Sequence, residues 1–202
     1  MSLLDLAKQA AESTLAQRKA EAKAEAQRKE DARVNECLQR CLKDAGEGFR
    51  SVKFSGREGE PWVTRIQSMG VTTSFTSHYN EPGHDSDLGD YGGDTDYYVT
   101  LSGWESPNPQ ATGMLKSLCE TYSDGMAIIR QAVTENTFKK AQEAVLAAAA
   151  KGETTVWLRL AEKDYARCLS PANEVLVQML QSEGLQVEAH QSQTSGITIK
   201  GW

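Results

Sequence analysis

The chain has 202 residues, 39% hydrophobic and 25% charged, and its 22 basic and 28 acidic residues leave a net charge of −6. That balance belongs to a folded chain of one medium domain or two small ones. With no basic block it is a poor candidate for binding nucleic acid or anionic lipid through phosphate neutralisation. The longest run of low polarity, 144–150, falls far short of the roughly 20 residues that span a bilayer. The opening MSLLDLAKQAAESTLAQRK has no basic start ahead of an apolar stretch, so no signal peptide is expected.

Residues 2–45 lack Gly and Pro and are rich in Ala, Glu, Lys and Gln, which predicts one helix about 65 Å long. Val34, Leu38, Cys41 and Leu42 form a stripe at helical spacing near its end. Leu3, Leu4 and Leu6, with Leu15, form a second apolar patch. Between them, 17–33 is mostly Ala and charge, and Glu25 and Lys29 stand at the i, i+4 spacing of an exposed ion pair. Three readings stay open: a frayed tail, an arm whose Leu3/Leu4/Leu6 tip docks on a partner or a neighbouring subunit, or a helix folded back on its own domain. Cys37 and Cys41 share a helical face, and the chain has no CxxC pair, so reduced thiols are expected rather than a structural zinc site.

The helix runs into Gly46-Glu47, where the glycine suits a left-handed cap. A short strand follows, with Val52 and Phe54 on one side and Lys53 on the other. A helix over 61–69 ends at Gly70, and a strand then alternates Val71, Thr73 and Phe75. The last strand of this segment, 98–101, closes on Gly103-Trp104. The connection over 80–96 holds six acids (Glu81, Asp85, Asp87, Asp90, Asp94, Asp96) and no base, equal to the chain's whole charge excess. Asp85, Asp87, Asp90, Asp94 and Asp96 are weak candidates for Ca²⁺, which takes six to eight oxygens. The spacing is not that of an EF-hand: Gly89 occupies the fifth position counted from Asp85, and no glutamate stands at the twelfth. A protein-contact loop and a solvated loop are the other readings.

Residues 110–150 predict a second long helical stretch, broken near Ser123-Asp124-Gly125, whose buried side is Met126, Ile129, Val133, Phe138, Ala141, Val145 and Leu146. After Gly152-Glu153 a strand presents Val156, Leu158 and Leu160 opposite Trp157 and Arg159. Ser170-Pro171 is an N-cap followed by a first-turn proline, and Val175, Leu176, Met179 and Leu180 form the stripe of the helix it opens. Gly184 ends that helix. A strand with Leu185, Val187 and Ala189, a turn over 191–196 and a strand over 197–199 lead to Gly201-Trp202.

Three blocks of the two halves match in order. Gly46-Glu47 with 49–54 matches Gly152-Glu153 with 155–160; 69–75 matches 183–189; and 99–104 matches 197–202. The expected fold is therefore α+β, an internal duplication of a helix–strand–helix–β-hairpin unit behind a long charged N-terminal helix. Its expected divisions are a helical arm over 1–33, a first repeat over 34–104, and a long helix with the second repeat over 105–202. The closing tryptophans, Trp104 and Trp202, are expected to plug the ends of their sheets.

No nucleophile, phosphate-loop, dinucleotide or zinc-protease motif is present, so no catalytic residue and no cofactor are assigned. His78, His84 and His190 read as surface residues, and Cys168 has no assignable base. From 151 to 202 the chain resembles small proteins of tailed bacteriophages that end in a Trp-terminated β-hairpin, the closing strand here reading Ile197-Thr198-Ile199-Lys200-Gly201-Trp202. The resemblance implies a viral protein, virion-associated or host-countering, in the host cytoplasm or the virion. The function expected is that of a non-enzymatic structural, assembly or interaction protein. It would use the arm and the acidic connection for contacts with a protein partner or with itself as a homo-oligomer, with no nucleic acid and no membrane. The alternative is a protein that binds or sequesters a nucleotide signal against host defence, for which Arg50, Arg65 and Arg159 are the candidate phosphate contacts.

Overall fold

The computed structural model describes the backbone at residues 3–80, 83–85, 89–91, 94–105, 108, 110–160, 169–190 and 196–202. Side chains are described at those positions except 3–13, 83–85 and 89–91. The protein is α+β, in the order α1 (Leu3–Gly46), β1 (Ser51–Ser55), α2 (Pro61–Ser68), β2 (Thr72–Asn80), β3 (Gly83–Asp85), β4 (Gly89–Tyr91), β5 (Asp94–Ser102), α3 (Gly113–Ala132), a π-helical segment (Val133–Phe138), α4 (Lys139–Ala150), β6 (Thr155–Arg159), α5 (Pro171–Ser182), β7 (Gln186–His190) and β8 (Gly196–Lys200). It divides into two compact units. The first comprises residues 1–42, 51–103 and 108–116; the second comprises 43–50, 104–107 and 117–202.

In the first unit an antiparallel sheet runs in the order β1-β5-β2. Val52 lies opposite Leu101 and Phe54 opposite Val99, so period-2 alternation sends all four into the core. Val34, Cys37, Leu38 and Cys41, three and four apart on α1, are buried in turn. Phe54 meets Trp62 of α2 edge to face, with ring centroids 6.4 Å apart. A Cβ on Gly56 would stand 2.5 Å from the Trp62 ring, so only glycine lets that ring lie where it does. Each fully buried side chain of this size contributes about 1.5–3 kcal/mol.

In the second unit β6-β8-β7 form an antiparallel sheet. Its central residues Ile197 and Ile199 share one core with Val133, Phe138 and Ala141 of the helical stretch, Val175, Leu176 and Leu180 of α5, and Leu160. Ser170 caps α5, its hydroxyl accepting from the Asn173 N–H, and Pro171 opens the first turn. The helical stretch does not break at Ser123-Asp124-Gly125. Gly125 sits inside α3, where a Cβ would fall 2.2 Å from the Gly46 carbonyl oxygen, so it serves close helix contact rather than a turn. The irregularity comes later, at the π segment. Residues five apart on a regular α-helix point about 140° away from each other. The wider i→i+5 turn brings Val133 and Phe138 into the same core. Leu146, expected on the buried side, is exposed.

The two sheets have the same strand order and the same register. Val52 and Thr73 flank Leu101, as Val156 and Val187 flank Ile199. Gly70 and Gly184 end α2 and α5 at φ 86° and 85°, and Gly103 and Gly201 follow the last strands at 101° and 104°. Trp104 donates its indole N–H to the Phe49 carbonyl, and Trp202 donates to that of Glu153, each at 2.9 Å. This register corrects the first sequence match by two residues. Val52 corresponds to Val156, not Leu158, and the partner of Gly152 (φ 76°) is Gly48 (φ 82°), not Gly46. A Cβ at Gly48 would also lie within 3.0 Å of Ile129, Met126 and Pro171. The tryptophans differ in depth: Trp104 is 1% exposed and Trp202 37%.

Candidate functional site: a bare helix and an overlong hairpin

From residue 14 to residue 29 every side chain of α1 is exposed, over about 24 Å of helix. The helix is held there by its own propensity and by local pairs: Gln17 donates to Glu21 at 3.0 Å, and Lys29 meets Glu25 at 2.6 Å. Where the bare stretch ends, polar groups clamp α1 to its unit. Asp31 pairs with Arg65 of α2. Arg33 donates to the Ser55 carbonyl at 3.1 Å, and its guanidinium lies 5.3 Å from the Trp62 ring. Arg40 covers Phe54 at 5.5 Å. The Arg65 guanidinium beside Asp31 holds that carboxyl below its ordinary value of 3.8. Leu3, Leu4 and Leu6 lie on the first turns of α1, and their side chains are outside the described residues.

The second feature is the hairpin β2–β5, nine residues per strand against five in β1. Phe75, Ser77 and Tyr79 continue the core face of the sheet beyond the reach of the core, opposite Val99, Tyr97 and Thr95. Phe75, Tyr79 and Tyr97 are consequently exposed, and Arg57 lies 4.3 Å over the Tyr97 ring. On the other face Lys53 lies 3.8 Å over Tyr98. Beyond the hairpin, β3 and β4 pair with His84 opposite Asp90, so strands occupy part of what reads in sequence as a plain loop.

Of the calcium candidates, Asp94 and Asp96 stand on β5. Asp94 accepts the Thr95 N–H at 2.7 Å and Asp96 accepts from the Asn80 side chain at 2.9 Å. Asp85 and Asp90 are placed by backbone only, and Asp87 is outside the described residues. Among the described residues no three His, Cys, Asp or Glu side chains gather where they could hold a metal.

The other sequence candidates are scattered. His78 lies opposite Asp96 on the hairpin, and His190 shares a 2.8 Å hydrogen bond with Thr198. Cys37 and Cys41 are buried, and burial pushes the Cys37 thiol up, away from reactivity. Cys168 lies outside the described residues. Arg50 is engaged by Tyr122 and, at 2.9 Å, by Glu174, which raise its pKa; Arg65 is engaged by Asp31. Arg159 is exposed on β6.

Comparison with known families, characterised proteins and solved structures finds no match. The site therefore stands on its own geometry, and what that geometry offers is contact surface: an anchored bare helix and an uncovered aromatic ribbon. Sequence reasoning located the bare stretch of α1, because a run of Ala and charge cannot make an apolar face. It missed the ribbon, because Thr72–Asn80 alternates without marking where the covering helices stop.

Proposed function

We propose that the protein is a non-enzymatic structural, assembly or interaction protein of the tailed-phage type that its closing strand resembles. Its two units descend from one duplicated segment and serve as scaffold, while α1 and the hairpin make the contacts. The observation that carries this reading is the bare stretch of α1. A helix whose residues 14–29 bury nothing, yet which is clamped at its base by Asp31, Arg33 and Arg40, is built to reach outward.

The test is removal of residues 2–29. The shortened protein keeps the wild-type melting transition but loses capture of its partner from host lysate. A truncated protein that captures its partner as the full chain does refutes the arm.

A further inference from the structure

The hairpin ends in an edge that folded proteins normally protect. Sheet edges expose unpaired N–H and C=O groups, and native chains blunt them with charges, prolines, bulges or shortness. Among the described residues, three of the four outer strands of the two three-stranded sheets follow that rule. The strands β1, β6 and β7 are five residues each and carry Lys53, Arg159 and Glu188. The fourth edge, β2, does not. Its sequence TTSFTSHYN has no Lys, Arg, Asp, Glu or Pro and is rich in strand formers. Its nine successive pairs with β5 leave no bulge, and residues 74–80 are all exposed.

We infer that β2 is the seam of a symmetric homodimer, pairing antiparallel with β2 of a second copy about a twofold axis at Thr76. The occupant follows from self-complementarity. In that register Thr76 faces its own copy, Phe75 faces Ser77, Ser74 faces His78, Thr73 faces Tyr79 and Thr72 faces Asn80. No charged side chain opposes another, and each Phe75 gains the second copy's Phe75 and Tyr79 as diagonal neighbours, covering aromatics that are 36% and 57% exposed in one chain. Charge also selects the antiparallel direction. Each strand runs into the acidic 81–96 connection after Asn80. Parallel pairing would stack the two acidic segments, whereas antiparallel pairing sets them at opposite ends of strands about 30 Å long, several screening lengths apart. A nine-residue ladder supplies about nine hydrogen bonds, close to the roughly ten of an ordinary interface. The result is an isologous, closed contact, which does not propagate into fibres.

The experiment is sedimentation equilibrium of the full chain with a charge pair at the axis. The wild type sediments at twice 22.1 kDa at tens of micromolar. Thr76→Lys and Thr76→Glu each place like charges face to face and weaken self-association at least tenfold, with unchanged circular dichroism. Mixed one to one, the two variants dimerise again. Should T76K misfold, the double variant Ser74→Glu with His78→Glu sets carboxylates against each other across the same axis and is judged by the same outcomes. A monomeric wild type at about 100 µM overturns the seam, and so does a T76K protein as dimeric as wild type. A dimer that survives T76K but vanishes on removal of residues 2–29 assigns self-association to the arm and likewise overturns it.

Discussion

The two sheets share strand order and register, yet among the described residues only one outgrows its core. In the second unit β7 and β8 are five residues each, and the described ladder ends at His190 opposite Gly196. In the first, the equivalent hairpin continues for four further pairs, past Thr76 and Tyr98, to Asn80 opposite Asp94. The shorter sheet closes its core with a described ladder of five pairs. What the longer one adds is exposed aromatic surface and an edge without charged side chains.

That comparison can be pressed at paired positions. The largest effects belong to the shared core: Leu101→Ala and Ile199→Ala each empty a fully buried central position and lose about 2–5 kcal/mol by denaturant titration. A small cost at either position would mean that its sheet is not packed as described. Next come the glycines after the last strands. Gly103→Ala and Gly201→Ala both force a left-handed alanine, costing about 1–3 kcal/mol. Gly103→Ala is the worse of the two, because its Cβ would also sit 2.6 Å from the Thr72 hydroxyl, whereas at Gly201 the nearest atom is 3.5 Å away. Equal losses would erase that distinction. Smaller still, Tyr79→Ser changes monomer stability by no more than about 0.5 kcal/mol, as for a surface position.

The smallest effect is at the base of the arm. The Asp31 carboxyl is depressed by Arg65, so its contribution is fully present above its ordinary 3.8 and is lost as pH falls through the lowered folded value. Amide exchange at residues 25–33 should therefore quicken a few-fold, relative to the second unit, on acidification below about pH 4. Asp31→Asn should show the faster rate at every pH. An unchanged pH profile in that variant would remove Asp31 from the clamp.

How much of this was legible in the sequence depends on whether the cause was local. The long helix, the alternation of Val52 and Phe54, and the Ser170-Pro171 start all rest on neighbours a few residues away, and each appears where the pattern puts it. Gly48 was hidden beside Gly46, because the choice between them is made by Met126, Ile129 and Pro171, far along the chain. Gly125 read as a break for the same reason: the carbonyl it accommodates belongs to Gly46. The π segment has no period that a hydrophobic pattern announces. In the candidate site the bare stretch of α1 was visible as a run without an apolar face. The overlong hairpin was not, because exposure of Phe75 and Tyr79 depends on where other elements end.

The most direct test removes the surplus and leaves the rest. Replacing residues 77–97 with Asn-Gly joins Thr76 to Tyr98, an existing cross-strand pair, through a tight turn. The shortened protein should keep the wild-type circular dichroism and a cooperative unfolding transition and no longer self-associate. A shortened chain that fails to fold, or one that associates as before, would contradict it.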